Sequence, residues 1–160
     1  MYKNALVTTD GSETAGAALP HVARVVDPDG NVTVVEVIDE IGRVLARTTP
    51  AGFDLAGMGA LDAEIAEQIV AAQREEAERH LKAARATLEA AGLKHVRTVV
   101  LEGLPGDRIV EEAQAHKSDV VIMSTHGRSG LRRTVLGSVA DHVLRNLDNV
   151  PVLLVHPAAD

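Results

Sequence analysis

The chain has no cysteine and no tryptophan, and only one tyrosine and one phenylalanine in 160 residues. Each absence removes a class of function. Without thiols there is no disulfide, no thiolate nucleophile and no sulfur-ligated metal. With so few rings there is almost nothing on which nucleic-acid bases could stack, and a formal net charge of −7 repels a phosphate backbone. No apolar run approaches the ~20 residues that a membrane-spanning helix needs. The start, "MYKNALVTTD", is too polar and too short in its apolar part for a signal sequence. The expectation is a soluble, cytoplasmic protein and, at this length, a single domain over residues 1–160.

What is present is aliphatic. Hydrophobic residues make up 46% of the chain, so its core must be built of Val, Leu, Ile and Ala. Such a core suits strands covered on both faces. Ala5–Thr9 reads as a strand ending in the turn and cap residues "TDGSE". A helix is expected from about Ser12 to Val26, on the spacing of Ala15, Ala18, Leu19, Val22 and Val25. "DPDG" at Asp27–Gly30 is a turn signal, and "NVTVVEVID" a second strand rich in β-branched residues. Residues 40–59, with Pro50, Gly52, Gly57 and Gly59, read as a mobile connection or an irregular helical piece.

A long helical pattern follows from Leu61 to Ala91, with Leu61, Ile65, Ile69, Ala77, Leu81, Ala84 and Leu88 along one stripe and Gly92 as its stop. A straight helix of that length spans roughly 45 Å, long for this domain. The second half repeats the alternation: strand "HVRTVVLEG", helix "LPGDRIVEEAQAH", apolar strand Val120–Met123, a glycine-rich loop, a helix from Ser138 to Asn146 and a last strand "VPVLLVH". Strict strand–helix alternation with apolar strands predicts a parallel sheet with helices on both faces. In such sheets ligands bind beyond the carboxyl ends of the strands, where the strand order reverses. The loops after the first and fourth strands then matter most.

The loop after the fourth strand, within "STHGRSGLRRTVLGSVAD", concentrates glycine and arginine in an acidic chain. Ser138 is placed as an N-cap, with Asp141 three residues on as its capping partner. A helix start offers N–H groups and partial positive charge, and with Arg128, Arg132 and Arg133 nearby it suits phosphate. The same residues fit a plainer reading, in which the serine is only a cap, the glycines only turns and the arginines a solvated surface. Neither G-x-x-x-x-G-K-[ST] nor G-x-G-x-x-G after a strand occurs. In the first loop, Asp10 could accept hydrogen bonds from a ribose or help hold a phosphate-bound metal; equally, Asp10 or Ser12 could cap the first helix. Of seven histidines none forms an H-x-x-x-H or H-E-x-x-H pair. His80 and His95 read as surface or helix-edge residues, and only His126 falls in the candidate site, as a phosphate contact or a base.

At this point "ALVTTDGSETAGAAL", "VTVVEVID", "DVVIMSTHGRSGLRRTVLGSVADHVLRN" and "VPVLLVHP" together resemble the universal stress protein family, over essentially the whole chain. The segment Asp119–Pro157 is the specific part. The resemblance implies an open parallel five-stranded sheet of order 3-2-1-4-5, Rossmann-like, and a homodimer formed through the last strand, here Val150–Val155. One branch of the family binds ATP through Gly-x2-Gly-x9-Gly-[Ser/Thr], while another lacks that motif. Here Gly127 is the second glycine, Arg128–Leu136 the spacer and Gly137-Ser138 the final pair, with Ser124 in place of the first glycine. By position the resemblance puts Asp10 near the ribose and Val37 beside the adenine, with Thr8 and Met123 flanking it. His126, Gly127, Gly137, Ser138 and Val139 would surround the phosphates. The expected ligand is ATP with Mg²⁺ or Mn²⁺, and the expected role regulatory, with a slow ATPase or a nucleotide-free dimeric scaffold as alternatives. An edge strand as apolar as "VPVLLVH" independently suggests pairing with a second copy.

Overall fold

A computed structural model describes residues 1–48, 58–125 and 136–156. Five parallel strands are ordered β3-β2-β1-β4-β5. They are β1 (Tyr2–Thr8), β2 (Val26–Ile38), β3 (His95–Glu102), β4 (Val120–Ser124) and β5 (Val152–Val155). The helices are α1 (Glu13–Gly16), α2 (Leu19–Val25), α3 (Ile41–Thr48), α4 (Met58–Ala90), α5 (Pro105–Ala115) and α6 (Ser138–Asn146).

The period-2 alternation of the strands divides the core. Ala5 and Val7 of β1, with Val32 and Val34 of β2, face α2 and α4. Leu6, Val35 and Val121 face α5 and α6. Burying each Val, Leu or Ile contributes about 1.5–3 kcal/mol, so these two layers carry most of the stability. A third cluster joins Ile38, Val44, Ala66, Val70 and Ala77, where α3 packs on the first half of α4. The order of strands reverses between β1 and β4, because the connections before β3 cover one face and those after it cover the other.

Several boundaries differ from the sequence expectation. The first helix is split: Pro20 lacks the N–H that a continuous helix would bond, and the chain passes through i→i−3 bonds from Ala18 N–H to Ala15 O and from His21 N–H to Ala18 O, 3.1 and 3.0 Å. The Asp27–Gly30 turn does not separate β2 from what precedes it. It bulges within the strand, so that pairing jumps from Tyr2–Val26 to Asn4–Asn31. α3 is regular helix where a mobile connection or an irregular helical piece was expected; Pro50, Gly52 and Gly57 lie outside the described residues.

The long helix is present, but its inward stripe over the first half is Ala66 and Val70, while Ile65 is 49% exposed. α4 ends as Gly92 anticipates: with φ 98° it donates to Glu89 O, and Leu93 N–H donates to Leu88 O, closing a Schellman turn with both leucines in the core. Among the described residues no helix is long and apolar enough to cross a membrane.

Candidate functional site

The carboxyl ends of β1, β2 and β4 open into a cleft of about 320 Å³, within the range of small-molecule sites. One side is apolar: Val35 and Val37 from β2, Ile109 and Pro105 from α5, and Met123 from β4. The other is polar: Thr8, Thr9 and Asp10 from the end of β1, then Ser124, Thr125, Gly137 and Ser138.

The β1 turn is built by local hydrogen bonds. Gly11, at φ 74°, is the residue that lets the chain reverse, and its N–H donates to Thr9 Oγ1 at 3.2 Å. Asp10 Oδ1 accepts from both the N–H and the hydroxyl of Ser12. Ser12 in turn caps α1, accepting from Ala15 N–H at 3.1 Å. Of the two readings of this loop the capping one is seen: Ser12 is the cap and Asp10 braces it, while Asp10 also lines the cleft.

The β4–α6 connection is pinched at its base. Thr125 N–H donates to Val155 O at 3.0 Å, and Gly137 N–H donates to Thr125 O at 2.9 Å. Thr125 Oγ1 also lies 3.2 Å from His156 Nδ1. The cap of α6 is Gly137, not Ser138, which occupies the first helical position. Nor does Asp141 form a capping pair: its side chain accepts from Arg145 Nε at 2.8 Å, and that hydrogen bond holds its carboxyl below the usual 3.8. The difference matters chemically. The Ser138 hydroxyl makes no capping bond, and helix geometry leaves the N–H groups of Ser138, Val139 and Ala140 without intrahelical acceptors. They form the positive end of α6, and all three residues line the cleft.

Of the site residues expected from the sequence, Thr8, Asp10, Val37, Met123, Ser124, Gly137, Ser138 and Val139 line this one cleft. His126, Gly127 and Arg128 lie outside the described residues. Sequence reasoning missed Pro105 and Ile109, which no motif marks; they arrive through the crossover that lays the first turn of α5 over β2. It also missed Thr125, next to two expected residues. Nor is His80 a plain surface residue: its ring lies against Glu36, which is buried. Among the described residues that line the cleft, Asp10 alone is ionisable, and no group of three or more His, Asp or Glu could hold a metal. With no carboxylate cluster among the described residues, a divalent cation would come with a ligand's phosphates. The apolar wall fits a base and the α6 terminus fits an anion, so the residues present suit a nucleotide.

Comparison with known proteins follows the same outline. The model of the universal stress protein family matches residues 1–156. Universal stress protein MJ0531 of Methanocaldococcus jannaschii is 33% identical over 156 residues, covering 97% of this chain and 82% of that one. The solved structure of protein MJ0577 from the same organism superposes with a TM-score of 0.78 at 30% identity, covering 100% of this chain and 99% of that one. A universal stress protein from Archaeoglobus fulgidus, in complex with dAMP, shares the fold with a TM-score of 0.58 at 20% identity, over 96% and 97% of the two chains. With the strand order, the cleft and these matches in hand, the chain belongs to the universal stress protein family.

Proposed function

We propose that the cleft binds a nucleotide, ATP with Mg²⁺ or Mn²⁺, and that the protein is a cytoplasmic, stress-responsive regulator. It acts as a homodimer with little or no hydrolysis. The observation that carries this reading is one cleft with an apolar wall of Val35, Val37, Ile109 and Met123 at one side and the amino end of α6 at the other. A base gains from the first by leaving water; phosphate gains from the second through N–H groups and dipole. The relative from Archaeoglobus fulgidus was solved with dAMP, a ligand of the same chemical class.

Each residue then has a role. Asp10 accepts from ribose hydroxyls, and Thr8, Val37 and Met123 hold the base. Ser124, Gly137, Ser138 and Val139 face the phosphates. His126, Gly127 and Arg128 would join them by motif position. The one carboxylate of the described cleft, Asp10, is held by Ser12, and the reading expects little hydrolysis. Turnover far below the ~1–10³ s⁻¹ of dedicated enzymes is expected.

Ser124, standing where the ATP-binding motif has glycine, favours one rival: a dimeric scaffold that carries no nucleotide. Mass spectrometry of ligand released from freshly purified protein separates the two. Calorimetry of Gly137→Val then tests the site. Gly137 lines the cleft with φ −61°, a conformation open to any residue, so the substitution adds a branched side chain there without left-handed strain. ATP affinity should fall by at least tenfold; unchanged affinity would remove the assignment.

A further inference from the structure

Below the β1 turn lies a pair of ionisable side chains that the cleft itself does not use. Glu36 of β2 is 2% exposed. A carboxylate so buried needs partners, and His80 of α4 supplies one, with Nδ1 3.2 and 3.1 Å from its two oxygens. Glu76 stands 3.8 Å from the other ring nitrogen. The same imidazole is the floor of the turn. A β-carbon at Gly11 would fall 2.1 Å from Cε1 and 2.2 Å from Nδ1, so the ring occupies the space where a side chain would be. Asp10 precedes that glycine and lines the cleft.

A buried polar pair adds little net stability over apolar side chains of similar volume. What it supplies is a fixed position. We propose that the His80–Glu36 pair is a positioning device that sets where the Asp10 carboxylate stands, so that part of the nucleotide affinity resides on α4, a helix that contributes no described residue to the cleft. This rests on reading the cleft as a nucleotide site. It predicts a selective effect: ligands that carry a ribose should depend on His80, while ligands that meet only the α6 end should not.

Calorimetry on the full chain tests it, with ATP and inorganic tripolyphosphate as probes. His80→Ala should weaken ATP by about tenfold, the size of a coupling between neighbouring groups, and leave tripolyphosphate within about twofold. His80→Asn, which can put an amide nitrogen near the place of Nδ1, should recover most of the loss. In an Asp10→Ala background, His80→Ala should cost nothing further. Should His80→Ala not fold, the double replacement Glu36→Leu with His80→Leu removes the pair without leaving a buried charge, and the same ATP loss is expected. Equal losses for both probes, an unchanged ATP affinity, or the same loss without Asp10 would overturn the proposal. If the parent protein binds no ATP, the nucleotide reading fails first, and that outcome is distinct from parental binding with no dependence on His80.

Discussion

Replacing Gly11 by alanine tests the architecture of the β1 turn through stability alone, with no ligand. Two costs apply. At φ 74° an alanine pays roughly 1–2 kcal/mol for left-handed backbone. Its β-carbon would also lie 2.1–2.5 Å from three atoms of the His80 ring, closer than atoms can stand. The ring is the mobile partner and must swing away, which takes Nδ1 off Glu36. That takes a hydrogen-bond partner from a carboxylate that is itself 2% exposed, at a cost of about 2–3 kcal/mol. Gly11→Ala should therefore cost about 4 kcal/mol, and His80→Ala alone about 2.5. In the double variant the ring is already gone and only the backbone term remains, so the total should stay near 4 rather than reach the additive ~6.5. Urea denaturation with linear extrapolation resolves the difference, and in melting temperature Gly11→Ala corresponds to a fall of roughly 10 °C. An additive double variant, or a Gly11→Ala cost of 1 kcal/mol or less, would show that the ring does not lie under the turn.

Other outcomes can be stated more briefly. Ser124→Gly restores the family's motif at a residue that lines the cleft, and ATP should bind at least as tightly as to the parent; a clear loss in calorimetry would make the serine hydroxyl a ligand. Light scattering should report a dimer paired through β5. Val121 N–H bonds Pro151 O and Thr125 N–H bonds Val155 O, so Pro151, Leu153 and Val155 turn inward to β4, and Val152 and Leu154 present their backbone groups to the open edge. Leu154→Pro should thus yield a folded monomer, whereas Leu153→Pro costs an inner ladder bond and should lower stability. The exposed Asp29–Lys94 pair gives a pH signature: their hydrogen bond holds Asp29 below 3.8 and Lys94 above 10.5. Its small contribution is present between those values. It is lost as pH falls through the lowered Asp29 pKa, and again as pH rises through the raised Lys94 pKa. In an NMR titration Lys94→Ala should move the Asp29 midpoint up.

The parts legible in the sequence were those in which one signal acts alone. The run Val120–Met123 is apolar throughout and bounded by polar residues, and it is a central strand. Gly92 ends α4 because φ 98° strains any residue with a side chain, and Pro105 opens α5 because a helix start needs no N–H there. Misreadings arose where two signals competed. Ser138 has the composition of a cap, yet the bond from Gly137 N–H to Thr125 O holds Gly137 in the extended cap position and pushes the serine into the first turn. Ile65 has the hydropathy of a core residue, but small Ala66 lets α4 approach α3 closely, and the helix turns that side inward. The contacts of Pro105 and Glu36 depend on crossovers between distant segments, which no local pattern encodes.

The partition of α4 has a consequence for folding. Its second half, from Leu81 to Leu88, belongs to the same buried cluster as β1, β2 and α2; its first half, Ala66 to Ala77, packs with α3 and the end of β2 instead. One continuous helix of 33 residues is thus shared between two buried clusters, which are expected to open separately. Amide hydrogens along it should not exchange as a single block: protection should be high toward Ala90 and step down toward Met58, as the smaller unit opens without the larger. His80 stands where the step falls, one residue before Leu81. The side chain under the β1 turn therefore also marks the point on this helix where the expected exchange boundary falls.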